Sequence, residues 1–417
     1  MRLEKNGMIR KLYSFLTRKY RQRPVSFDKF PDIEARRKHI LSAIAHAPTP
    51  LFLADTDIVI DRYKTLTRSL ETNWKNHIIA YSFKTSYAIA QTKILQKRGA
   101  WAEVVSGKEY MMARKFGYEG EQIIFNGPLK RDEELMLAFS EGALVHIDNK
   151  EELERAALIS ERLKKIITLG LRINAHISGI PASRFGFSVE RGEAHEAVRR
   201  ISRNKLLRLV SLHMHIGTDV DDVMCYRFAA QRLARFAQTI EVVNHVALRY
   251  IDMGGGFPAH GLPPLGTITW DPRSISEYIC SIADGLAVFP LQKKPMLIVE
   301  PGRYLVDDSV VFVVSIVNIR AHNGIQRVTT DGAVTMLPLR FYRQQIIKVF
   351  SLALRERGGS GVKTVVYGAT CREDDVLYKG VLPTVKTGDY VVFYCVGAYN
   401  QNMGSEFIFY QPISLTI

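Results

Sequence analysis

Residues 248–256 read LRYIDMGGG, a short apolar run that stops on three glycines. A run of this length suits a buried strand, and glycines at its end bring bare backbone to the edge of a sheet. The same punctuation recurs along the chain. Strands are expected over 78–84, 102–105, 123–126, 144–147, 168–173, 209–215, 248–253 and 296–299. Each runs into residues a core would not choose: Lys84, then Ser106 and Gly107, Asn126 and Gly127, Asp148 and Asn149, Arg172 and Asn174, His215 to Thr218, Gly254 to Gly256, and Glu300 to Arg303. Helical periodicity fills the intervals, as over 132–141 and 150–164. Alternating strands and helices describe either a (β/α)8 barrel or a doubly wound sheet. The polar ends favour the barrel, where the carboxyl ends of all the strands converge on one mouth. A doubly wound sheet would spread them along an edge.

After Arg303 the pattern changes. Residues 310–319, 364–367, 390–394 and 407–410 read as strands between turn residues, with one helix-like stretch near 343–357. The expected fold class is α/β: a basic segment over 1–45, a TIM-type barrel over 46–305, and a mostly β domain over 306–417 to which a strand from the N-terminal side can add. A chain of 417 residues is too long for one ordinary core and suits this division.

Composition narrows the class. Hydrophobic residues at 47% and charged residues at 24% exclude a disordered chain. No apolar run reaches the roughly 18 residues of a membrane span; the best, near 310–317, is short. Cys225, Cys280, Cys371 and Cys395 form no CxxC pair, so neither a zinc site nor a disulfide scaffold is expected, and a reducing, cytoplasmic setting is. The net charge of +15 is partly concentrated in Arg10, Lys11, Arg18, Lys19, Arg21 and Arg23. That segment has no apolar stretch typical of a secretory signal, and it reads as a surface helix or tail rather than a nucleic-acid arm. A basic surface also suits an anionic substrate or an acidic carrier protein.

The strand ends suggest chemistry. Burial lowers the pKa of an amine and makes it nucleophilic towards an aldehyde, and Lys84 follows the apolar run 80–83. Gly254 to Gly256 let backbone N–H groups approach a phosphate. Phe257 and Pro258 follow them instead of a helix, and no GxGxxG spacing occurs, which argues against a dinucleotide fingerprint. Arg303 can add a charge-assisted contact to the same phosphate, and Thr218 and Tyr399 hydroxyl donors. Glu300 can keep a pyridine nitrogen protonated, and His215 can stack on the ring. His213 and His215 point the same way from one strand, but no acidic or cysteine cluster completes a metal site, so no metal is expected.

Eleven blocks carry a family resemblance. They are YSFKTS (81–86), EVVSGKEY (103–110), IIFNGPLK (123–130), HIDN (146–149), LRIN (171–174), SRFGF (183–187), LHMHIGT (212–218), IDMGGGFP (251–258), EPGRYLV (300–306), YGATCREDD (367–375) and GAYNQNMGSEF (397–407). In this order the chain resembles the fold-type III pyridoxal phosphate decarboxylases, the family of ornithine, arginine and diaminopimelate decarboxylases. The resemblance implies an alanine-racemase-like barrel plus a β domain, and a homodimer with shared active sites. It implies pyridoxal phosphate held by Lys84 as a Schiff base, His215 on the ring, and phosphate contacts from Thr218, Gly255, Gly256, Arg303 and Tyr399. Glu300 resembles the partner of the pyridine nitrogen, Arg172 a residue beside it, and Cys371 the cysteine that reprotonates the substrate carbon from the partner subunit.

The departures concern the substrate. Arg372 stands where relatives acting on basic amino acids place an acid, which favours an anionic group at the far end, although Glu373, Asp374 and Asp375 follow it directly. Asp331 resembles an acidic position of the diamine-forming branch, and Arg340 a substrate-binding arginine of the diaminopimelate branch. The expected activity is decarboxylation of an amino acid, with a modified, anionic or carrier-bound substrate preferred, as in siderophore or antibiotic synthesis. Diaminopimelate, lysine, ornithine and arginine are the alternatives. A racemase of this fold avoids a carboxylate at the ring nitrogen and uses a tyrosine as second base, so Glu300 and Cys371 favour decarboxylation. An inactive regulatory homologue would not need all of Lys84, His215, Glu300, Arg303 and Cys371, so their presence argues against it.

Overall fold

The structure is a computed structural model that describes residues 30–261, 263–265, 267, 270–288 and 294–417. The basic cluster Arg10 to Arg23 lies outside them. The strands are β1 (Leu51–Ala54), β2 (His77–Ser82), β3 (Trp101–Val104), β4 (Ile123–Phe125), β5 (Leu144–Ile147), β6 (Ile167–Asn174), β7 (Phe187–Ser188), β8 (Leu207–His213), β9 (Tyr250–Asp252), β10 (Met296–Val299), β11 (Val310–His322), β12 (Ile325–Thr330), β13 (Ile346–Phe350), β14 (Val362–Tyr367), β15 (Val376–Leu382), β16 (Tyr390–Tyr394) and β17 (Ile413–Thr416).

Parallel pairing runs β2–β3–β4–β5–β6–β8–β9–β10, and β10 pairs back with β2, which closes the expected barrel. The helices between strands carry one apolar stripe each onto the outside of the ring. Lys150–Leu163 buries Leu153, Ala156 and Ile159, with Asn149 capping its first turn by accepting from the Glu152 N–H. Successive residues of a strand alternate between this outer shell and the barrel interior. The interior has two storeys. The lower is apolar: Ile78, Ala80, Ile124, Leu144, Tyr250 and Ile298 pack together. Towards the carboxyl ends of the strands, the upper storey holds Ser82, Glu103, Asn126, His146, Ser211, His213, Asp252 and Glu300, all buried.

The second unit is a mixed sheet in the order β13–β16–β11–β12–β14–β15. β1 joins it, antiparallel to β11 and parallel to β17, so both sides of the barrel segment feed one sheet. Two expectations fail here. The helix-like stretch near 343–357 is instead β13 and a turn; its Ile346, Ile347 and Val349 pair with β16, and sheet contacts override a helical pattern. Residues 407–410 form only an isolated bridge between Phe407 and Phe409, with their apolar side chains exposed. The apolar run near 310–317 is the start of β11, and among the described residues no helix is long and apolar enough to cross a membrane.

Phe52 of β1 is fully buried against Phe312 of β11, ring centroids 4.8 Å apart. Phe52→Ala removes that contact, and a drop of about 3–5 kcal/mol in unfolding free energy is expected. Urea titration of the purified variant checks it.

Candidate active site

Lys84 does not end β2, as expected, but sits in a 3-10 turn, Phe83–Thr85, just beyond it. The turn is pinned from both sides. Phe83 is buried against Tyr81, Phe116 and Tyr118. From the sheet domain, the Tyr399 N–H donates to the Thr85 carbonyl at 2.7 Å and Asn402 Nδ2 to the Lys84 carbonyl at 3.0 Å. Gly302 lies against the turn, where a Cβ would overlap the Thr85 hydroxyl. Lys84 Nζ donates to Glu103 Oε2, which also accepts from Ser82 Oγ at 2.7 Å. The expected lowering of the lysine pKa is reversed. Burial does oppose the charge, but the carboxylates of Glu103 and Glu300 outweigh it and hold Lys84 above its ordinary value.

Glu103 was not singled out in the sequence, and neither were Asn126, His146 or Asp252 as members of a site. Asn126 Nδ2 donates to both Glu103 Oε1 at 3.1 Å and Glu300 Oε1 at 2.6 Å. His146 is hydrogen-bonded through Nδ1 to Asn126 Oδ1 and through Nε2 to Ser211 Oγ, each at 2.8 Å. His213 stacks on His146, ring centroids 4.9 Å apart, with Nε2 at 3.5 Å from Glu300 Oε2. Asp252 Oδ1 accepts from the Gly254 N–H. Burial first, and then the neighbouring Glu300 carboxylate, lift Asp252 well above the usual carboxylate range. An acidic pair therefore does converge on the histidines, contrary to the sequence reading. His146 nonetheless has both ring nitrogens engaged, so this cluster is better read as a hydrogen-bonded network than as a metal site.

At the mouth, two loops interlock. The Gly255 N–H donates to His215 Nδ1 at 3.2 Å. A Cβ on Gly255 would strike the Glu300 carbonyl, and one on Gly256, at φ +88°, the Gly217 carbonyl. His215 lies two residues beyond the end of β8. Lys84, His215, Thr218, Asp219, Gly256, Glu300, Gly302, Arg303 and Tyr399 are among the residues that line one cavity with an empty volume of about 380 Å3. Arg303 donates to Asp307 Oδ2 at 3.0 Å, and its guanidinium lies 5.2 Å from the Tyr399 ring centroid. Its Nε is 3.1 Å from Asp219 Oδ1 without hydrogen-bond geometry, a buried donor still available. An amine, an all-glycine cradle, an available arginine donor and a carboxylate opposite suit a phosphorylated pyridine aldehyde. Arg172 lies to one side, 3.4 Å from Asp148 Oδ1 and with its guanidinium 4.6 Å from the Phe185 ring centroid.

The remaining candidates do not line this cavity. Cys371 and Arg372 are exposed. Arg372 forms a bidentate pair with Asp374 at 2.9 and 2.7 Å, so the cation expected to face substrate is already matched. Arg340 donates to the Val376 carbonyl and also acts on Asp374, which places Arg340 and Arg372 in one mixed-charge cluster. Asp331 belongs elsewhere: it accepts from Thr49 Oγ1 at 2.5 Å and from the Ser315 N–H at 2.8 Å, tying the chain before β1 to the sheet.

The pyridoxal binding domain of the pyridoxal-dependent decarboxylases matches residues 57–307, and their C-terminal sheet domain residues 278–397. The chain belongs to this family. It is a pyridoxal phosphate-dependent amino-acid decarboxylase. A diaminopimelate decarboxylase of Methanothermobacter thermautotrophicus is 27% identical over 401 residues, 91% of this chain and 90% of that one. The diaminopimelate decarboxylase structure from Methanocaldococcus jannaschii superposes with a TM-score of 0.80 at 22% identity, covering 90% of this decarboxylase and 88% of its own chain. That from Helicobacter pylori, complexed with L-lysine, gives 0.79 at 22%, covering 90% and 93%. These structures share the barrel and the following sheet.

Burial, then the charge of Lys84, hold His215 down to about 3, below the ordinary 6.5, so the folded ring is neutral. Unfolding exposes an imidazole that takes up a proton below about 6.5, and the stability held above that pH is lost progressively as pH falls towards 3. Asp252 works in the opposite sense, so a difference between variants is the clean measurement. In the cofactor-free protein, His215→Gln should flatten the fall in unfolding free energy between about pH 6.5 and 5 by about 1.4 kcal/mol per pH unit. Urea midpoints across that window check it.

Proposed function

We propose that this decarboxylase removes the α-carboxylate of an amino acid whose far end carries both charges, diaminopimelate being the simplest such substrate. The carrying observation is the cluster of Arg340, Arg372 and Asp374. Two cations acting on one acid complement a distal group that is itself an ammonium and a carboxylate. A purely anionic, modified or carrier-bound substrate is supported less, because Asp374 already answers Arg372. Relatives named diaminopimelate decarboxylase support the same reading.

Pyridoxal phosphate, when bound, supplies an electron-accepting ring for the charge left on the α-carbon as CO2 departs. In this reading Lys84 binds it through Nζ, with Glu103 beside that atom to take or return a proton. His215 covers one ring face and excludes water from it. Glu300 keeps a proton on the pyridine nitrogen. Gly255, Gly256, Thr218, Arg303 and Tyr399 hold the phosphate, and Arg172 supports the ring edge. Cys371 returns a proton to the α-carbon, and its loop reaches the site of a second copy, which makes the working unit a homodimer.

Three measurements test this. Lys84→Ala should lose the visible absorbance of the lysine-bound cofactor together with all amine release; a retained band would remove Lys84 from its role. An assay of amine release over diaminopimelate, lysine, ornithine, glutamate and acylated amino acids should favour diaminopimelate. Faster turnover of lysine or ornithine refutes the mixed-charge reading. Mixing Lys84→Ala with Cys371→Ala subunits should restore activity that neither has alone, as shared sites require.

A further inference from the structure

The upper storey of the barrel contains a hydrogen-bond chain whose direction can be worked out. Asn126 uses both N–H bonds of its amide, one on Glu103 Oε1 and one on Glu300 Oε1. Its oxygen is therefore the acceptor for His146, which fixes the proton of His146 on Nδ1. His146 Nε2 is then an acceptor, and the Ser211 hydroxyl donates to it. Donors thus run Ser211, His146, Asn126 and end on two carboxylates, one paired with Lys84 and the other facing the cavity. Had the amide turned over, its oxygen would confront both carboxylates and its N–H would face the N–H of His146.

The space for the device is built in. Gly170 of β6 lies against His146, and any Cβ there would overlap the imidazole. His213 stacks on its face. The charged and titratable groups around His146 are His213, Glu300, Asp252, Lys130 and Arg172, and burial among them keeps the ring neutral, as one donor and one acceptor require. Around Glu300 stand Asn126, His146, His213, His215, Asp252, Lys84 and Arg172.

We propose that His146 is a positioning residue: held by Ser211, it orients the Asn126 amide so that one side chain braces the counter-ion of Lys84 and the carboxylate at the ring nitrogen together. This deepens the reading that Lys84 and Glu300 flank the cofactor, and it rests on that reading. His146 does not touch the cofactor. It acts through Asn126.

The test compares His146→Leu, which removes both hydrogen bonds, with His146→Gln, which can donate to Asn126 and accept from Ser211. A buried carboxylate that loses an N–H donor takes up a proton at higher pH. In the holoenzyme, His146→Leu should therefore move the acid limb of the kcat profile, and the pH titration of the visible cofactor band, towards neutral. It should lower kcat about 10- to 100-fold with KM little changed. His146→Gln should restore both profiles. Unchanged profiles in folded His146→Leu overturn the proposal, and so does a His146→Gln protein that folds but remains as defective as His146→Leu. If His146→Leu fails to fold, the His146→Gln profile decides alone: near wild type supports the orientation role and a shifted acid limb refutes it. Failure of the underlying reading looks different, because Lys84→Ala would then keep the band and Glu300→Gln would leave its pH titration unmoved.

Discussion

Closing eight parallel strands into a ring forces every second side chain into a space that water does not fill. In the lower storey this is harmless, since Ile78, Ile124, Leu144 and Ile298 want no partner. In the upper storey it is a severe constraint. Glu103, Asn126, His146, Asp252 and Glu300 are nearly or fully buried, and each polar atom that fails to find a partner carries a penalty of about 1–3 kcal/mol. They answer one another across the barrel, and the single amide of Asn126 makes the connection between the two carboxylates. The exceptions are the two ring nitrogens of His213, Oδ2 of Asp252 and the Thr85 hydroxyl, which have no partner within hydrogen-bond geometry. Of these only Thr85 lines the cavity.

This arrangement explains which parts of the site were legible in the sequence. The barrel was legible because each strand ends in residues incompatible with a core, and those at the mouth, Lys84, His215, Thr218, Gly256, Glu300 and Arg303, do come together. Glu103, His146 and Asp252 were not, because they sit inside strands flanked by apolar neighbours that face the other way. A period of two would have flagged them: Ile124 with Asn126, Leu144 with His146, Tyr250 with Asp252 and Ile298 with Glu300 each step from an apolar residue to a polar one on the same face. The sheet domain was harder. Strand β13 hid within a stretch of helical pattern, and 407–410 looked like a strand but pairs with no strand among the described residues. Pairing partners decide strands, and partners are remote in sequence. Arg372 shows a similar limit, since its neutralising acid is only two residues away yet the pairing depends on loop shape. That shape is set by Asp375, which accepts from the Val334 N–H and from Thr370.

The two units are not independent neighbours. The segment 397–403 leaves the sheet and lays Tyr399 and Asn402 onto the turn that carries Lys84, while Asn400 accepts from the Leu339 N–H beside Arg340. One short stretch therefore references the lysine and the arginine cluster to a common frame. Changes in sheet packing are felt at the barrel mouth through the contacts of Tyr399 and Asn402 with the Lys84 turn.

Strand β1 has a consequence for how the chain is made. It lies between β11, which begins some 250 positions later, and β17, which begins about 360 later. During synthesis from the N-terminus, the whole barrel can be translated before either partner of LFLA exists. Four apolar residues must wait, exposed, while about 250 others fold, and only the last strands of the chain cover them. The sheet domain is thus the last part to be completed although it contains one of the first segments made, and the nascent protein carries a sticky edge for most of its translation.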